Sequence, residues 1–131
     1  MSIEVGIKGT AEVRVDMSNT ASTVGSGGLP VFSTPSMVAL METAAAGVVA
    51  PLLEEGRSTV GTRLDITHDA PTPIGMTVRA EATLTEIDGK RLVFRVEAFD
   101  DEGKIGGGTH ERYIISAARF MEKTAAKLKR E

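Results

Sequence analysis

The sequence predicts an α+β fold: an antiparallel five-stranded sheet wrapped around one long buried helix, with a short helix near the C-terminus. Three observations carry that expectation. The segment from Ser36 onward is apolar nearly all round, which is the mark of a helix enclosed by its own domain. Strand-like runs stand on both sides of it, one before and four after, most with the apolar and polar alternation of half-buried strands. The last three runs are joined by turn signals short enough for hairpins.

The first strand is expected over Ile7 to Val15, with Ile7, Ala11, Val13 and Val15 on one face and Lys8, Thr10, Glu12 and Arg14 on the other. Ser18 to Pro30, rich in Ser, Thr and Gly, reads as a long loop of the kind that often serves as a lid or binding segment. Phe32-Ser33-Thr34-Pro35 then marks a helix start, because Thr34 can cap free amides and Pro35 is tolerated at the first helical position. Pro51 and Gly56 mark the far end. Val60 to His68 alternates Val60, Thr62, Leu64, Ile66 and His68 against Gly61, Arg63, Asp65 and Thr67. Met76 to Glu86 follows, joined through Asp88-Gly89 to Leu92, Phe94, Val96 and Ala98. Asp101-Glu102-Gly103 leads into a last strand through Tyr113, Ile114 and Ile115. A long apolar helix followed by such a meander has one economical packing, with the sheet curled around the helix, and that arrangement is the hot-dog fold. A sheet of this size leaves an edge and a face to protect, so a homodimer is expected.

At 131 residues, with no internal repeat or linker, a single domain over 1–131 is expected. The formal charge of −3, with both signs interspersed, supplies no footprint for nucleic acid. The basic tail from Lys123 to Arg130 is balanced by Glu122 and Glu131 and reads as a solvated helix face. Without cysteine, disulfides and thiol nucleophiles are excluded, and two histidines with no ligand spacing propose no metal site. The N-terminus lacks a secretory pattern, and the apolar run Met37 to Leu53 is short and interrupted by Glu42, Gly47 and Pro51. A cytoplasmic protein with no membrane span is therefore expected.

Glu42 is the only charged residue between Ser36 and Leu53, on a helix that otherwise demands burial, so its carboxylate must be hydrogen-bonded, paired or protonated. His68 falls on the strand face of Leu64 and Ile66, which is directed toward the helix, so an imidazole and a carboxylate converge on one interior region as an acid/base pair. Each also has a structural reading: Glu42 paired with an arginine, His68 as a satisfied core residue. His110 and Arg112 share one face of the last strand and Glu111 the other; the run offers a competing site, with an exposed or dimer-facing polar edge as its structural reading. Gly106-Gly107-Gly108 lacks the Lys and Ser/Thr of a phosphate loop and reads as a bulge or a close backbone approach.

At these residues the sequence resembles the fluoroacetyl-CoA thioesterase group of hot-dog proteins. The matching stretches are Val31-Phe32-Ser33-Thr34, Met37-Val38-Ala39-Leu40-Met41-Glu42, Val60-Gly61-Thr62, Thr67-His68-Asp69-Ala70-Pro71-Thr72-Pro73 and Gly108-Thr109-His110-Glu111-Arg112, in order from helix entry to last strand. The resemblance implies a homodimeric thioesterase hydrolysing short acyl-CoA compounds, with no cofactor beyond the CoA of the substrate. It puts Thr34, Glu42 and His68 in the positions of the family's catalytic residues, with Gly61 against the thioester and Arg112 lining or gating the pocket. The chain departs from the fluoroacetyl enzyme at Gly28, where that protein carries an aromatic lid residue, which puts selectivity for fluoroacetate in doubt.

On a regular helix Thr34 and Glu42 would stand roughly 12 Å apart, so either Thr34 belongs to an irregular turn or a second copy completes the set. The mechanism expected is attack by Glu42, by Thr34 or by water activated by Glu42, with His68 moving the proton and a backbone amide at Gly61 facing the oxyanion. A non-catalytic acyl-CoA binding module on the same fold is the alternative. A hydratase ranks below both, because Asp65 lies on the strand face opposite His68.

Overall fold

A computed structural model describes residues 2–129; Arg130 and Glu131 of the basic tail lie outside the described residues. The elements are β1 (Lys8–Arg14), α1 (Ala21–Val24), α2 (Thr34–Val49), β2 (Arg57–His68), β3 (Thr77–Asp88), β4 (Arg91–Asp100), β5 (Gly103–Ser116) and α3 (Ala117–Ala126). The strands form one antiparallel sheet in the order β1-β3-β4-β5-β2, curled about α2 as the hot-dog arrangement requires. β1 and β2 are its edges.

The alternation expected of β3 and β4 is realised in their burial. Val78, Ala80, Ala82 and Leu84 on β3, with Leu92, Phe94, Val96 and Ala98 on β4, are all buried under the helix, and their intervening neighbours are not. Small residues in the middle of this floor, Ala80, Ala82 and Ala98, face Ala44 and Ala45 of α2 within the same core and let helix and sheet approach closely. Thr34–Leu52 is long and apolar enough to cross a bilayer by length and composition, yet Met37, Leu40, Met41, Ala44, Ala45 and Val49 are turned inward as the core of this sheet.

Several details differ from expectation. The helix is not buried all round in a single chain: Pro35, Ala39, Thr43 and Gly47 are exposed on a face that the sheet does not reach. The Ser18 to Pro30 stretch is folded locally, with a 3-10 turn over Met17–Asn19 capped by Asp16 and the single turn α1 capped by Thr20. The β3–β4 turn is Gly89-Lys90, one residue later than Asp88-Gly89, because Asp88 still pairs with Arg91. In the glycine run of β5 the expected close approach is present: a Cβ on Gly106 or Gly108 would run into the carbonyl oxygens of Thr67 and Asp65 on β2.

A β-bulge in β2 has the largest effect on the site. The register against β5 shifts between Gly61 and Arg63, so Gly61 lies opposite Arg112 while Leu64 lies opposite His110. A strict alternation would have turned Gly61 away from the helix. The extra residue, Thr62, instead brings Thr59 and Gly61 onto the inner face with Leu64, Ile66 and His68.

Candidate active site

The α2 entry is held by backbone bonds on both flanks: Phe32 N–H donates to Thr72 O at 2.9 Å and Ser33 N–H to Asn19 O at 2.9 Å. Pinned in extended geometry, Ser33 caps the helix by accepting from Ser36 N–H at 3.1 Å. The expected cap by Thr34 is thereby corrected. Thr34 is the first helical residue, ahead of Pro35, and its hydroxyl has no amide to serve. Its Oγ1 lies 2.7 Å from His68 Nδ1 at the end of β2.

His68 Nε2 is buried and has no hydrogen-bond partner. Burial holds the imidazole below its ordinary value of 6.5, with the Ala70 backbone and the Asp69 charge opposing. The ring is therefore mainly neutral near pH 7 and can accept a proton. Thr34, His68, Phe32 and Asp69 line an open cleft of about 290 Å³, walled by Ala21 and Ser26 from the segment that precedes the helix.

Two turns further along α2, Glu42 anchors a second cluster. A Cβ built on Gly61 would fall on Glu42 Oε2, so only a glycine lets the carboxylate occupy this position. Arg112 Nη1 lies 3.4 Å from the same oxygen. The guanidinium is fixed on its other edges, donating from Nε to Thr59 Oγ1 at 2.9 Å and from Nη2 to Thr59 O at 3.0 Å. His110, fully buried, completes the set with Nδ1 2.8 Å from Arg63 O and Nε2 3.2 Å from Arg112 Nη1. A carbonyl can only accept, so Nδ1 carries the hydrogen, and Nε2 is left to accept from Arg112. Burial is the main cause of a lowered His110 pKa; the Arg63 carbonyl opposes it, Arg112 adds to it, and Glu42 and Glu111 oppose it. Glu42 itself keeps 38% of its side chain accessible, so the ion pair is neither sealed nor isolated from a ligand.

The residues expected from sequence thus fall into two groups along one seam, since α2 and β2 run in opposite directions and Thr34 meets His68 while Glu42 meets Gly61. Within one chain the structure does not join Glu42 to His68; the ion-pair partner of Glu42 among the described residues is Arg112, with the neutral His110 ring beyond it, Nε2 4.0 Å from Glu42 Oε2. Of the readings open for His110 and Arg112, the exposed edge is overturned, because both are buried and His110 packs inward against Phe94 with ring centroids 6.3 Å apart. Thr59 and the cap at Ser33 escaped sequence reasoning. Ser33 had a usable signal, a serine three residues before Ser36, but Thr59 had none, because the bulge reverses its face. Among the described residues no group of three or more His, Asp or Glu side chains is placed to hold a metal ion.

The chain is similar to known proteins over most of its length. The model of a family described as fluoroacetyl-CoA-specific thioesterase matches residues 15–118. A fluoroacetyl-CoA thioesterase of Streptantibioticus cattleyicolor is 45% identical over 97 residues, covering 74% of this chain and 70% of its own. A solved structure of a fluoroacetyl-CoA thioesterase superposes with a TM-score of 0.91 at 37% identity, over 97% of this chain and 98% of the other. A Thermus thermophilus hypothetical protein, described as a thioesterase superfamily member, gives 0.87 at 33% identity over 97% and 93%.

Proposed function

The chain belongs to the fluoroacetyl-CoA-specific thioesterase family and is an acyl-CoA thioesterase, and from that premise we propose that it hydrolyses a short acyl-CoA to the free acid and CoA in a site formed by two copies. The observation that carries the chemistry is the Thr34 hydroxyl held 2.7 Å from a neutral, partly buried His68 at the wall of a cleft. A threonine released from capping, next to a base, is a proton-handling pair.

Glu42 supplies the carboxylate. Its Oε2 lies directly over Gly61, where no side chain separates the carboxylate from the backbone, and the thioester carbonyl would be met beside it with a backbone amide facing the developing oxyanion. Glu42 attacks or activates water, His68 moves the proton, and Thr34 orients the imidazole. Over a full turnover one water adds to the acyl carbon, the C–S bond breaks, and the proton lost by the attacking group reaches the departing thiolate.

Two clusters, each incomplete within one chain, support a homodimer. β2 is an open edge, and the neighbouring face of α2 exposes Ala39, Thr43 and Gly47. Pairing two β2 strands antiparallel about Leu64 and Asp65 sets His68 of one copy opposite Gly61 of the other, and so brings Thr34 and His68 of one chain to Glu42 of its partner. The acyl preference proposed differs from fluoroacetyl. Gly28, at the position aligned with an aromatic lid, is exposed and has no atom within 4 Å of where a Cβ would sit.

A thiol-release screen over short, branched, halogenated and aromatic acyl-CoAs tests the reading, with Glu42→Gln and His68→Ala as controls. Both variants are expected to lose most turnover on the substrate the native protein prefers. Near-native rates in both would remove the site assignment.

A further inference from the structure

Beyond Glu42 the seam opens at the far end of β2. Four residues back along β2 from Gly61 is Arg57, and four residues forward along β5 from Arg112 is its partner Ser116, a run of about 13 Å at 3.3 Å per residue. There β5 turns into α3, and a second cleft of about 740 Å³ opens between α3, the β3–β4 turn and the start of β2. Its floor is apolar: Ile114, which shares the inner face with Arg112, and the exposed aromatic ring of Phe120. Arg57, Lys90, Arg119 and Lys123 line it, against the single carboxylate of Glu122.

What distinguishes these cations is that four of them gather at one cleft. Lys8, Arg79, Arg91, Arg95 and Lys104 on the sheet pair with carboxylates, and Arg14 and Arg63, which do not, stand apart from this cleft. Among the described residues none of the four at this cleft pairs with a carboxylate. On a chain of net charge −3 such a cluster costs self-repulsion, which a polyanion relieves. Cations around an aromatic and aliphatic floor match an adenine ring carrying phosphates, the base stacking on Phe120 and the phosphates meeting the guanidinium forks.

We infer that this cleft binds the nucleotide end, the 3′-phosphoadenosine diphosphate, of the acyl-CoA substrate. The inference rests on the acyl-CoA reading above. It places the acyl group between Thr34 and His68 of one copy and Glu42 of the other, and runs the pantetheine arm past Gly61 of that second copy toward its Arg57. The cleft contributes to binding and not to the bond changes.

The test compares two substrates with the same acyl group, one on CoA and one on pantetheine, which lacks the nucleotide. In the double variant Arg57→Gln, Arg119→Gln the KM for acyl-CoA is expected to rise about tenfold or more, the worth of one charge-assisted contact or better, with kcat within about twofold. The KM for acyl-pantetheine should stay where it was. Equal shifts on both substrates, or none on acyl-CoA, would overturn the inference. Calorimetric titration with adenosine 3′,5′-bisphosphate supplies a readout free of turnover: the native protein should bind it, and the double variant should lose at least about tenfold in affinity. No binding by the native protein overturns the inference even if hydrolysis proceeds. Binding that the variant loses, in a protein releasing no thiol from any acyl-CoA, upholds the cleft and sinks the hydrolytic reading instead.

Discussion

Ser33 and Thr34 are adjacent hydroxyl residues at one helix start, and the geometry assigns them opposite jobs that substitution can separate. Ser33 is buried, caps Ser36 N–H at 3.1 Å and bonds the Ser36 hydroxyl at 2.7 Å. Losing an N-cap costs about 1 kcal/mol. For 131 residues at about 2.1 cal/mol/K each, the unfolding entropy is about 0.28 kcal/mol/K, so Ser33→Ala should lower the melting temperature by about 4 °C. Thr34 is exposed and serves no amide, so Thr34→Ala removes only the bond to His68, whose other partners can include water, and should move the melting temperature by less than about 2 °C. Turnover should respond the other way. Ser33→Ala should keep kcat within about threefold, whereas Thr34→Ala, which leaves the imidazole unoriented, should lose about 100-fold, the scale of a positioned proton-transfer group. Thr34→Ser retains the hydroxyl and should recover most of the loss. Thermal melts by circular dichroism and thiol release on the same preparations read both quantities. If Thr34→Ala melts several degrees lower while Ser33→Ala does not, Thr34 is the cap after all, and its bond to His68 is incidental.

Gly61→Ala is the complementary change on the sheet. The new methyl meets the end of the Glu42 carboxylate and crowds the buried His110 and Arg112 beside it, so stability should fall by about 1–3 kcal/mol, while displacement of Glu42 should reduce kcat at least about tenfold; native kcat with native KM would show that the Glu42 position over Gly61 does not matter. Arg112→Met leaves His110 Nε2, Thr59 and Glu42 without their shared donor. Urea titration should register about 1–3 kcal/mol of destabilisation, and a value near zero would mean the network contributes nothing. Both histidines have folded-state pKa values below the ordinary 6.5, so the unfolded chain binds more protons at mildly acid pH. Their contribution is fully present above about 6.5 and is lost as pH falls through the folded values. His110→Gln, which can still accept from Arg112, should make urea stability fall less steeply between about pH 6.5 and 5 than in the native protein; an unchanged slope would show that His110 does not titrate differently on folding.

The elements most legible in the sequence were those whose periodicity is uninterrupted. β3 and β4 alternate without a break through Val78 to Leu84 and Leu92 to Ala98, and their burial follows residue by residue. Glu42 was conspicuous because a charge on an apolar helix needs a partner. The partner itself was not legible, since Arg112 lies 70 residues away and reaches it only across the sheet.

Composition, periodicity and the lone charge on α2 determined the α+β class, the strand count and the prominence of Glu42 and His68, because each depends on local spacing or on the cost of burying a charge. Which hydroxyl caps the helix, which face Gly61 takes and which imidazole meets which partner were decided only by tertiary structure. A cap is set by the bonds that pin Phe32 and Ser33 to Thr72 and Asn19, distant in sequence or in strand. A single extra residue at Thr62 reverses every side chain before it, and nothing in the local alternation announces where that residue falls.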